Sequence, residues 1–376
     1  MDTKYKYGAL VAFRPLLDSD REIDLKNMGD FVQTIAGMQY LPHVDEYVTR
    51  DNISDFTPVD ERQKVKVIMN AWWMWNYKKW PPADVIEPLP ISMHISPLHS
   101  DDMLSGRGLQ WFKRYEPIGC RDNGTLQRLQ AKGIKCYYSG CLTLTLGRTY
   151  KPIPYEERDG VCFADPYFVM PNSKKQKIRA LLHVLVAPLT IFKMSRNSFF
   201  SRKGYNNSFP FDHNRYLKTL IAASAFHRIY SSFFSNIVLR TSEYISHVKI
   251  IRKGKDNNYS LIQETDRMLK HYQSRKLVVT SRIHAALPCL AMETPVIFIE
   301  NSNVESETWN ANRLDGLTDL FRCMNIEGNR LETNDNILLE LHHIGRNIPV
   351  FRNKNDWRPI ADKLARTCCD FVKESN

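Results

Sequence analysis

The chain has 376 residues, of which 52 are Lys or Arg and 41 are Asp or Glu, so its formal net charge is +11. At roughly 100 to 200 residues per domain, this length predicts about two domains. A composition of 43% hydrophobic and 11% aromatic residues excludes a chain that is disordered throughout. The excess positive charge indicates an anionic partner, which is nucleic acid, a membrane surface, or a phosphorylated or carboxylated substrate.

The cysteines and the N-terminus indicate where the protein works. The eight cysteines show neither a CxxC pair nor the spacing of a zinc finger, so we expect reduced thiols and no metal site. Residues 1–20 lack a charged segment followed by an apolar core, which argues against a secretory signal. We therefore predict a cytoplasmic protein, in which the sequons at Asn52, Asn123 and Asn206 are chance matches.

In the first half, short apolar runs alternate with helical periodicity, which is typical of an α/β fold with a mostly parallel sheet. Strands are predicted at residues 7–13, 64–69 and 134–138. Asp30 and Asp122 are predicted to cap helices, and Gly133 is predicted to close the second one. These elements predict one sheet domain over residues 1–150.

The second half repeats the alternation after a charged linker with prolines at residues 151–160. Further strands are predicted at residues 161–169, 277–280 and 295–299. Ser260 and Gln263 are predicted to form a helix capping box, and another helix begins near His284. We expect a second sheet domain over residues 161–350 and an amphipathic helix within residues 351–376.

An insertion at residues 171–240 exceeds what a minimal sheet domain needs. Within it, residues 174–203 place basic clusters on both sides of an apolar stretch at residues 180–192. About 13 apolar residues are too few to span a bilayer, which requires roughly 20. The segment predicts either a helix at the surface of an anionic membrane or a helical insertion packed on the domain.

The stretch at residues 276–299, KLVVTSRIHAALPCLAMETPVIFI, carries the clearest chemical signal. A buried strand ends there, and Ser281, Arg282 and His284 occupy the turn into the next helix. Ligands of α/β proteins bind at the carboxyl ends of strands, where helix N-termini favour anions. Arg282 suits phosphate or carboxylate, and His284 exchanges protons near neutral pH. The other interpretation is structural, with His284 capping backbone and Arg282 joining two loops.

The phrase VVTSRIHAALPCLAMETPVIFIE resembles the signature of the polysaccharide pyruvyl transferases. Three more blocks are similar to the family in the same order. They are NMGDFVQTIAGMQYL at residues 27–41, GCRDNGTLQRLQAKGIKCYYSGCLTLTL at 119–146, and NRLDGLTDLF at 312–321. The resemblance therefore covers both halves and leaves out chiefly the insertion.

The resemblance implies two Rossmann-like domains facing each other across a cleft, as in GT-B glycosyltransferases. It implies phosphoenolpyruvate as donor, a sugar as acceptor, a pyruvate ketal as product, and no metal or other cofactor. His284 would then act as general acid, while Arg282, Arg121 and Ser281 bind the donor. His247 would face the donor, unless it is a structural histidine. Arg121 would lie opposite Arg282, unless it only pairs with Asp122.

The first half would bind the acceptor. His94 ends an apolar run at the same predicted edge, and Asn27 and Asp30 lie in the first loop. Trp75 belongs to the tryptophan-rich segment at residues 70–82, and aromatic faces stack on sugar rings. Core packing is the competing interpretation for at least half of those tryptophans.

Three functional hypotheses follow. The first is a pyruvyl transferase of surface or capsular polysaccharide synthesis, peripheral on the inner face of the cytoplasmic membrane and acting on a lipid-linked oligosaccharide. The second is a GT-B glycosyltransferase that uses a nucleotide sugar. The third, a nucleic-acid binding protein, is disfavoured because the basic residues form no recognised nucleic-acid motif.

Overall fold

The computed structural model describes residues 5–12, 23–60, 63–203, 215–252, 254–300 and 313–373. The predictions made for Phe13, Asn206 and Asn312 lie outside the described residues, as do parts of those for residues 1–20, 174–214 and 351–376.

Strands and helices alternate along the chain. The strands are β1 (Tyr5–Val11), β2 (Ile23–Asn27), β3 (Glu46–Thr49), β4 (Lys64–Ile68), β5 (Trp72–Trp73), β6 (Ile86–Leu89), β7 (His94–Ile95), β8 (Ile118–Cys120), β9 (Cys136–Tyr138), β10 (Asp159–Ala164), β11 (Glu243–Ile245), β12 (Val248–Arg252), β13 (Arg275–Thr280), β14 (Val296–Ile299), β15 (Arg322–Glu327) and β16 (Arg330–Glu332). The α-helices are α1 (Met28–Met38), α2 (Ser100–Met103), α3 (Gly106–Arg114), α4 (Asn123–Ala131), α5 (Lys174–His183), α6 (Pro188–Ser195), α7 (Ser198–Lys203), α8 (Arg215–Tyr230), α9 (Asn236–Thr241), α10 (Asn258–Gln273), α11 (Ile283–Ala291), α12 (Asn336–Leu341) and α13 (Trp357–Lys373). Short 3₁₀ helices lie at Arg50–Asp55, Tyr77–Lys79, Pro97–His99, Leu142–Arg148, Tyr155–Glu157, Val184–Val186 and Thr318–Leu320.

Two mainly parallel sheets confirm the predicted α/β class. The first has the order β3-β1-β4-β6. The short parallel pairs β5-β7 and β8-β9 form two further sheets, and a bridge between Met93 and Cys120 joins them. The second has the order β11-β10-β13-β14-β15-β16, in which only the last pair is antiparallel. In the second sheet the strand order reverses between β10 and β13, so a ligand crevice is expected at their carboxyl ends.

Most predicted elements are confirmed with shifted ends. The strand predicted at residues 161–169 runs instead over Asp159–Ala164, because the chain turns at Asp165, whose φ is +51°. Asp122 caps α4 as predicted, and its side chain accepts a hydrogen bond from the Thr125 amide. Gly133, at φ +68°, ends that helix in the left-handed conformation that glycine adopts most easily.

Two predicted caps are wrong. Asn27, not Asp30, caps α1, because the antiparallel pairing of β2 with β12 ends at Asn27 and the helix begins at once. The helix predicted to start with a Ser260–Gln263 box begins one turn earlier, where Asn257 and Ser260 cap each other. In both cases an earlier short polar side chain takes the capping position.

The two halves of the chain share a hydrophobic core. One buried cluster contains Val32 and Ile35 of α1, Leu142 between the halves, Leu287 of α11 and Leu364 of α13. The β2-β12 pair also joins the first half to the second. Helix α13 confirms the amphipathic helix predicted at the C-terminus. The predicted domain limits stay predictions.

The insertion is helical, as one of the two interpretations predicted. Its helices pack on the second sheet through a buried cluster that includes Phe163 of β10, Ile191 of α6, Phe199 of α7 and Phe226 of α8. No single described helix is long and apolar enough to cross a membrane; Lys174–Val186 and Pro188–Ser195 reach that length only together, across a bend of 118°.

Candidate active site

Strand β8 ends beside the start of β7, which places His94, Arg121 and Asp122 together. The Arg121 amide donates to the Met93 carbonyl at 2.8 Å. One Asp122 oxygen accepts from the Thr125 amide at 2.8 Å, and the other lies 2.6 Å from Nδ1 of His94. Because a carboxylate accepts only, the Nδ1–H of His94 donates, and Nε2 is left as the unprotonated ring nitrogen.

Arg121 is a fully buried cation with unused hydrogen-bond donors. Its side chain has no exposed surface, and none of its three guanidinium nitrogens has a hydrogen-bond partner among the described residues. The nearest carboxylate oxygen, on Asp122, is 3.6 Å from Nε. Burying such donors without partners costs free energy, so this side chain is suited to bind an oxyanion.

Arg282 follows β13 of the second sheet, at the point where the strand order reverses between β10 and β13. Asp165 follows β10 and Arg282 follows β13, and one Asp165 oxygen accepts from Nε of Arg282 at 3.0 Å and lies 2.8 Å from Nη2. The Arg282 side chain stays 38% exposed, so its remaining donors are accessible. The Ser281 hydroxyl donates to the Ile299 carbonyl and accepts from the Tyr167 amide, which joins three loops. Its donor-binding role stays a prediction.

His284 lies in the first turn of α11, pressed against the first turn of α1. A Cβ atom at Gly29 would stand only 2.8 Å from Nδ1 of His284 and 3.2 Å from Oδ1 of Asn27. His284 is 4% exposed, and its Nε2 has no hydrogen-bond partner among the described residues. The missing side chain of Gly29 therefore permits the close packing that holds His284.

His247 contacts both α10 and the start of α1. Its Nε2 is 2.7 Å from the Tyr272 hydroxyl, and its ring stacks on Tyr272 at an interplanar angle of 6°. Its carbonyl accepts from the Met28 amide at 2.7 Å, so it also supports the start of α1. Nδ1 has no hydrogen-bond partner among the described residues. The structural interpretation of His247 thus has direct support, and a contact with donor stays a prediction.

Arg313 is a site residue that the sequence did not single out. Burial, followed by the charges of Arg121 and Arg282, lowers its pKa to about 10. Its segment docks on the first half, where Asp315 accepts from the Asn123 amide and Gly316 accepts from the Tyr138 hydroxyl. Three arginines therefore converge from separate parts of the chain.

The histidines of this site are neutral at neutral pH. Burial lowers the pKa of His94 to about 4, and Arg121 adds to the effect while Asp122 opposes it. Burial lowers the pKa of His247 to about 4 as well, with Asp165 opposing. Burial and then the charges of Arg121 and Arg313 hold the pKa of His284 well below its usual value.

Asp122 stays ionised. Burial opposes its ionisation, yet the hydrogen bond from His94 and the charge of Arg121 hold its pKa below the usual range. The cluster therefore combines three cations, neutral imidazoles and few carboxylates. Such a site favours a small ligand with several negative charges.

The predicted acceptor residues form a chain of contacts beside this cluster. Asp30 pairs with Arg50 at 3.4 Å, and Arg50 pairs with Asp51 at 3.0 Å. Asp51 also accepts from the Trp75 amide at 3.2 Å. Trp75 is 60% exposed and lies against buried Trp72, with ring centroids 4.7 Å apart.

The other three tryptophans of the 70–82 segment are core residues. Trp72, Trp73 and Trp80 are buried, and the last two pack edge to face, as the competing interpretation predicted. Trp75 is thus the tryptophan of this segment with a free face. The side chain of Asn27 is used in the α1 cap, where it accepts from the Gly29 amide.

The arginine cluster is identified as a site by its buried cations and not by the volume of a cavity. Open surface cavities of about 460 and 500 Å³ lie elsewhere, at the edge of β10 and at the insertion. Within the described residues, no group of three or more His, Cys, Asp or Glu side chains could hold a metal ion. The buried donors of Arg121, which have no hydrogen-bond partner among the described residues, mark the arginine cluster as the candidate active site.

Comparisons with known proteins identify the family of the chain. A search of curated proteins finds no significant match. The family model for polysaccharide pyruvyl transferase matches residues 27–303, a span that includes α1, the Arg121 and Asp122 pair, and the strand, turn and helix of Arg282 and His284. The chain therefore belongs to the polysaccharide pyruvyl transferase family.

Proposed function

We propose that the protein transfers the pyruvyl group of phosphoenolpyruvate to two hydroxyls of a sugar, forming a pyruvate ketal. The observation that carries this proposal is the convergence of Arg121 and Arg313 on a buried, neutral His284, with the charge of Arg282 acting on Arg313. Phosphoenolpyruvate carries a carboxylate and a phosphate on three carbons, and bidentate arginine contacts match both groups.

The proposed reaction balances without an oxidant or a metal. One hydroxyl proton ends on C3, which becomes the methyl group, and both sugar oxygens form bonds to C2. The bond from C2 to the bridging phosphate oxygen breaks, and the second hydroxyl proton leaves with inorganic phosphate. The protein's part is to neutralise the donor, to move two protons and to hold the sugar.

His284 is the proposed general acid for C3. It is neutral in the free protein because of burial and its cationic neighbours. A trianionic donor bound to those arginines would reverse the local charge and raise the pKa of His284, so that it becomes protonated when the donor binds. Arg282 and Arg121, with Arg313, would hold the donor, and Ser281 and His247 would flank it.

His94 is the proposed base for a sugar hydroxyl. Asp122 fixes the proton on Nδ1 of His94, which leaves Nε2 to accept. Trp75, Asn27 and Asp30 would position the sugar, with Trp75 stacking on a ring face. We further propose that the two halves act like the facing domains of a GT-B enzyme, with a lipid-linked glycan of a surface or capsular polysaccharide as acceptor.

The test is a coupled assay of phosphate release and acceptor mass, with phosphoenolpyruvate and a panel of sugars. We expect one phosphate per pyruvyl group added, with no requirement for added metal. His284→Ala should abolish turnover but retain donor binding, and Arg282→Ala should weaken donor binding. Lys113→Ala, on the exposed surface of α3, is the control.

A thermal-shift series separates the donor classes. Phosphoenolpyruvate should raise the unfolding temperature, and UDP-sugars should not. The proposal would be abandoned if a folded sample released no phosphate with any acceptor and was stabilised only by a nucleotide sugar.

A further inference from the structure

The insertion presents a ridge of exposed apolar side chains along α5, the adjoining 3₁₀ turn and α6. We call this surface the apolar ridge, and its members are Ile178, Leu182, Leu185, Val186, Leu189 and Phe192. The side chain of Leu185 is 77% exposed and that of Leu189 is 75% exposed, on the two sides of the 118° bend. Ile178 and Leu182 are four residues apart and share one face of α5, and Leu189 and Phe192 are three residues apart and share one face of α6.

The helices that carry the apolar ridge are packed firmly against the rest of the protein on their inner sides. The opposite faces of α5 and α6 are fixed in the core through Ala180, Val184, Ile191 and Met194, all at most 6% exposed. The Ser224 hydroxyl of α8 also donates to the Ala180 carbonyl. Because the inner face is firmly packed, the orientation of the outer apolar face is determined by the fold. Contiguous exposed apolar surface of this kind marks an interaction site.

Basic residues border the ridge at both ends. Lys174, Lys175 and Arg179 are exposed on α5 and lie within one turn of Ile178 or Leu182. Lys193, which is exposed on α6, lies one residue from Phe192, and Arg196 follows the helix. An apolar face between cations is the pattern that binds the interface of an anionic bilayer.

A groove beside the ridge shares part of its lining and adds a cation from another helix. It encloses about 500 Å³, and its lining combines Leu189 and Phe192 with the cations Lys193, Arg196 and Arg240. Arg240 comes from α9, so two separate elements supply the positive charge. A groove lined by both apolar and cationic side chains matches a lipid acyl chain joined to a phosphate headgroup.

We propose that the apolar ridge docks the protein on an anionic membrane surface, with a lipid phosphate in the adjoining groove. The bent helix pair would lie in the interface without crossing the bilayer, and its corner at Leu185 and Val186 would enter deepest. A protein partner would match the apolar ridge less well, because the cations at both ends of the ridge and in the groove favour an anionic surface. This inference does not depend on the reaction proposed above.

The test is co-sedimentation with vesicles of phosphatidylcholine alone and of an equimolar mixture with phosphatidylglycerol. The wild-type chain should bind the mixed vesicles and bind the neutral ones much more weakly. Leu185→Glu with Leu189→Glu should lower the partition coefficient at least about tenfold. Lys174→Gln, Lys175→Gln and Lys177→Gln together should lower binding only to the mixed vesicles and make it less sensitive to salt.

Matched controls keep the test specific. Val59→Glu with Val350→Glu alters apolar side chains of similar exposure, 87% and 67%, and should leave binding unchanged. Circular dichroism should show native folding in every variant, because the altered side chains are exposed. Failure of the wild-type chain to bind mixed vesicles would overturn the proposal. The proposal would also be overturned if the Leu185 and Leu189 double variant bound mixed vesicles as strongly as the wild-type chain does. Self-association of the wild-type chain that the double variant abolishes would overturn it as well.

Discussion

Gly29 of α1 lies so close to His284 of α11 that a Cβ atom at position 29 would stand 2.8 Å from the imidazole Nδ1. Real Cβ atoms essentially never approach another heavy atom so closely, so the imidazole or the helix must move if any side chain is added. The orientation of the proposed general acid therefore depends on a glycine that belongs to the other half of the chain.

Gly29→Ala should reduce turnover at least about tenfold, because displacing a reacting group by a fraction of an ångström disrupts proton transfer. Stability should change little, since alanine is favoured over glycine inside a helix and offsets part of the strain. Steady-state kinetics and urea unfolding measure the two effects. Gly345→Ala is the control, because a Cβ there meets nothing within 4 Å. Unchanged turnover in Gly29→Ala would remove His284 from the proton-transfer role.

Arg121→Met should stabilise the free protein and abolish donor binding. The wild-type guanidinium is buried beside other cations and has no hydrogen-bond partner in the part of the chain that the structure describes. An apolar side chain of similar length should therefore raise the free energy of unfolding by about 1 to 3 kcal/mol. Urea unfolding with and without phosphoenolpyruvate measures both effects.

In the same experiment, donor should stabilise the wild type and not the variant. Arg107→Met, at an exposed position of α3, should change neither quantity. A variant that is less stable than the wild type and still stabilised by donor would show that Arg121 only supports the fold.

Asp165→Asn should raise the donor KM about tenfold with a smaller effect on kcat, because the charged partner that orients Arg282 is lost. Asparagine tolerates the positive φ at this position, so the backbone should be retained. Asp159→Asn is the control, since that carboxylate is 75% exposed and pairs with Arg275 away from the site. Equal donor KM values in both variants would exclude a positioning role for Asp165.

The sequence predicted the parts of the site that are local. An apolar run followed by Ser281, Arg282 and His284 is readable because strand end, turn and helix start are contiguous. Asp122 was predicted as a cap for the same reason, and the structure confirms it.

Contacts between distant segments could not be predicted from one sequence. Arg313 reaches the cluster because Asp315 and Gly316 dock on Asn123 and Tyr138, far away in the chain. The role of Gly29 is visible only once α1 packs on α11. The cap of α1 was misplaced because β2 was not predicted, and its pairing with β12 determines where the helix starts.

Acidification should destabilise the protein before its carboxylates titrate. His94 and His247 have a pKa of about 4 when folded and 6.5 ordinarily, so the unfolded chain binds more protons between these values. Stability then falls as pH falls through this window, by up to roughly 3 kcal/mol per histidine. Urea unfolding between about pH 7 and about pH 5 measures the slope.

His247→Phe should reduce that slope, because one of the buried, neutral histidines no longer takes up a proton on unfolding. His343→Gln, which removes an exposed histidine, should leave the slope as it is. A slope that is the same in wild type and His247→Phe would mean that His247 is not held neutral in the folded protein.

Trp75→Ala should weaken binding of the acceptor and leave binding of the donor unchanged. Its indole is 60% exposed and is supported from below by Trp72, so a sugar ring can stack on the outer face. We expect kcat/KM for the acceptor to fall about tenfold, and the loss of the Trp72 contact to cost at most about 1.5 kcal/mol of stability. Tyr259→Ala removes an aromatic side chain of similar exposure, 63%, from α10 and should leave acceptor kinetics unchanged. If Trp75→Ala instead changed the donor Kd and left acceptor kcat/KM intact, the sugar would have to bind on another face of the arginine cluster.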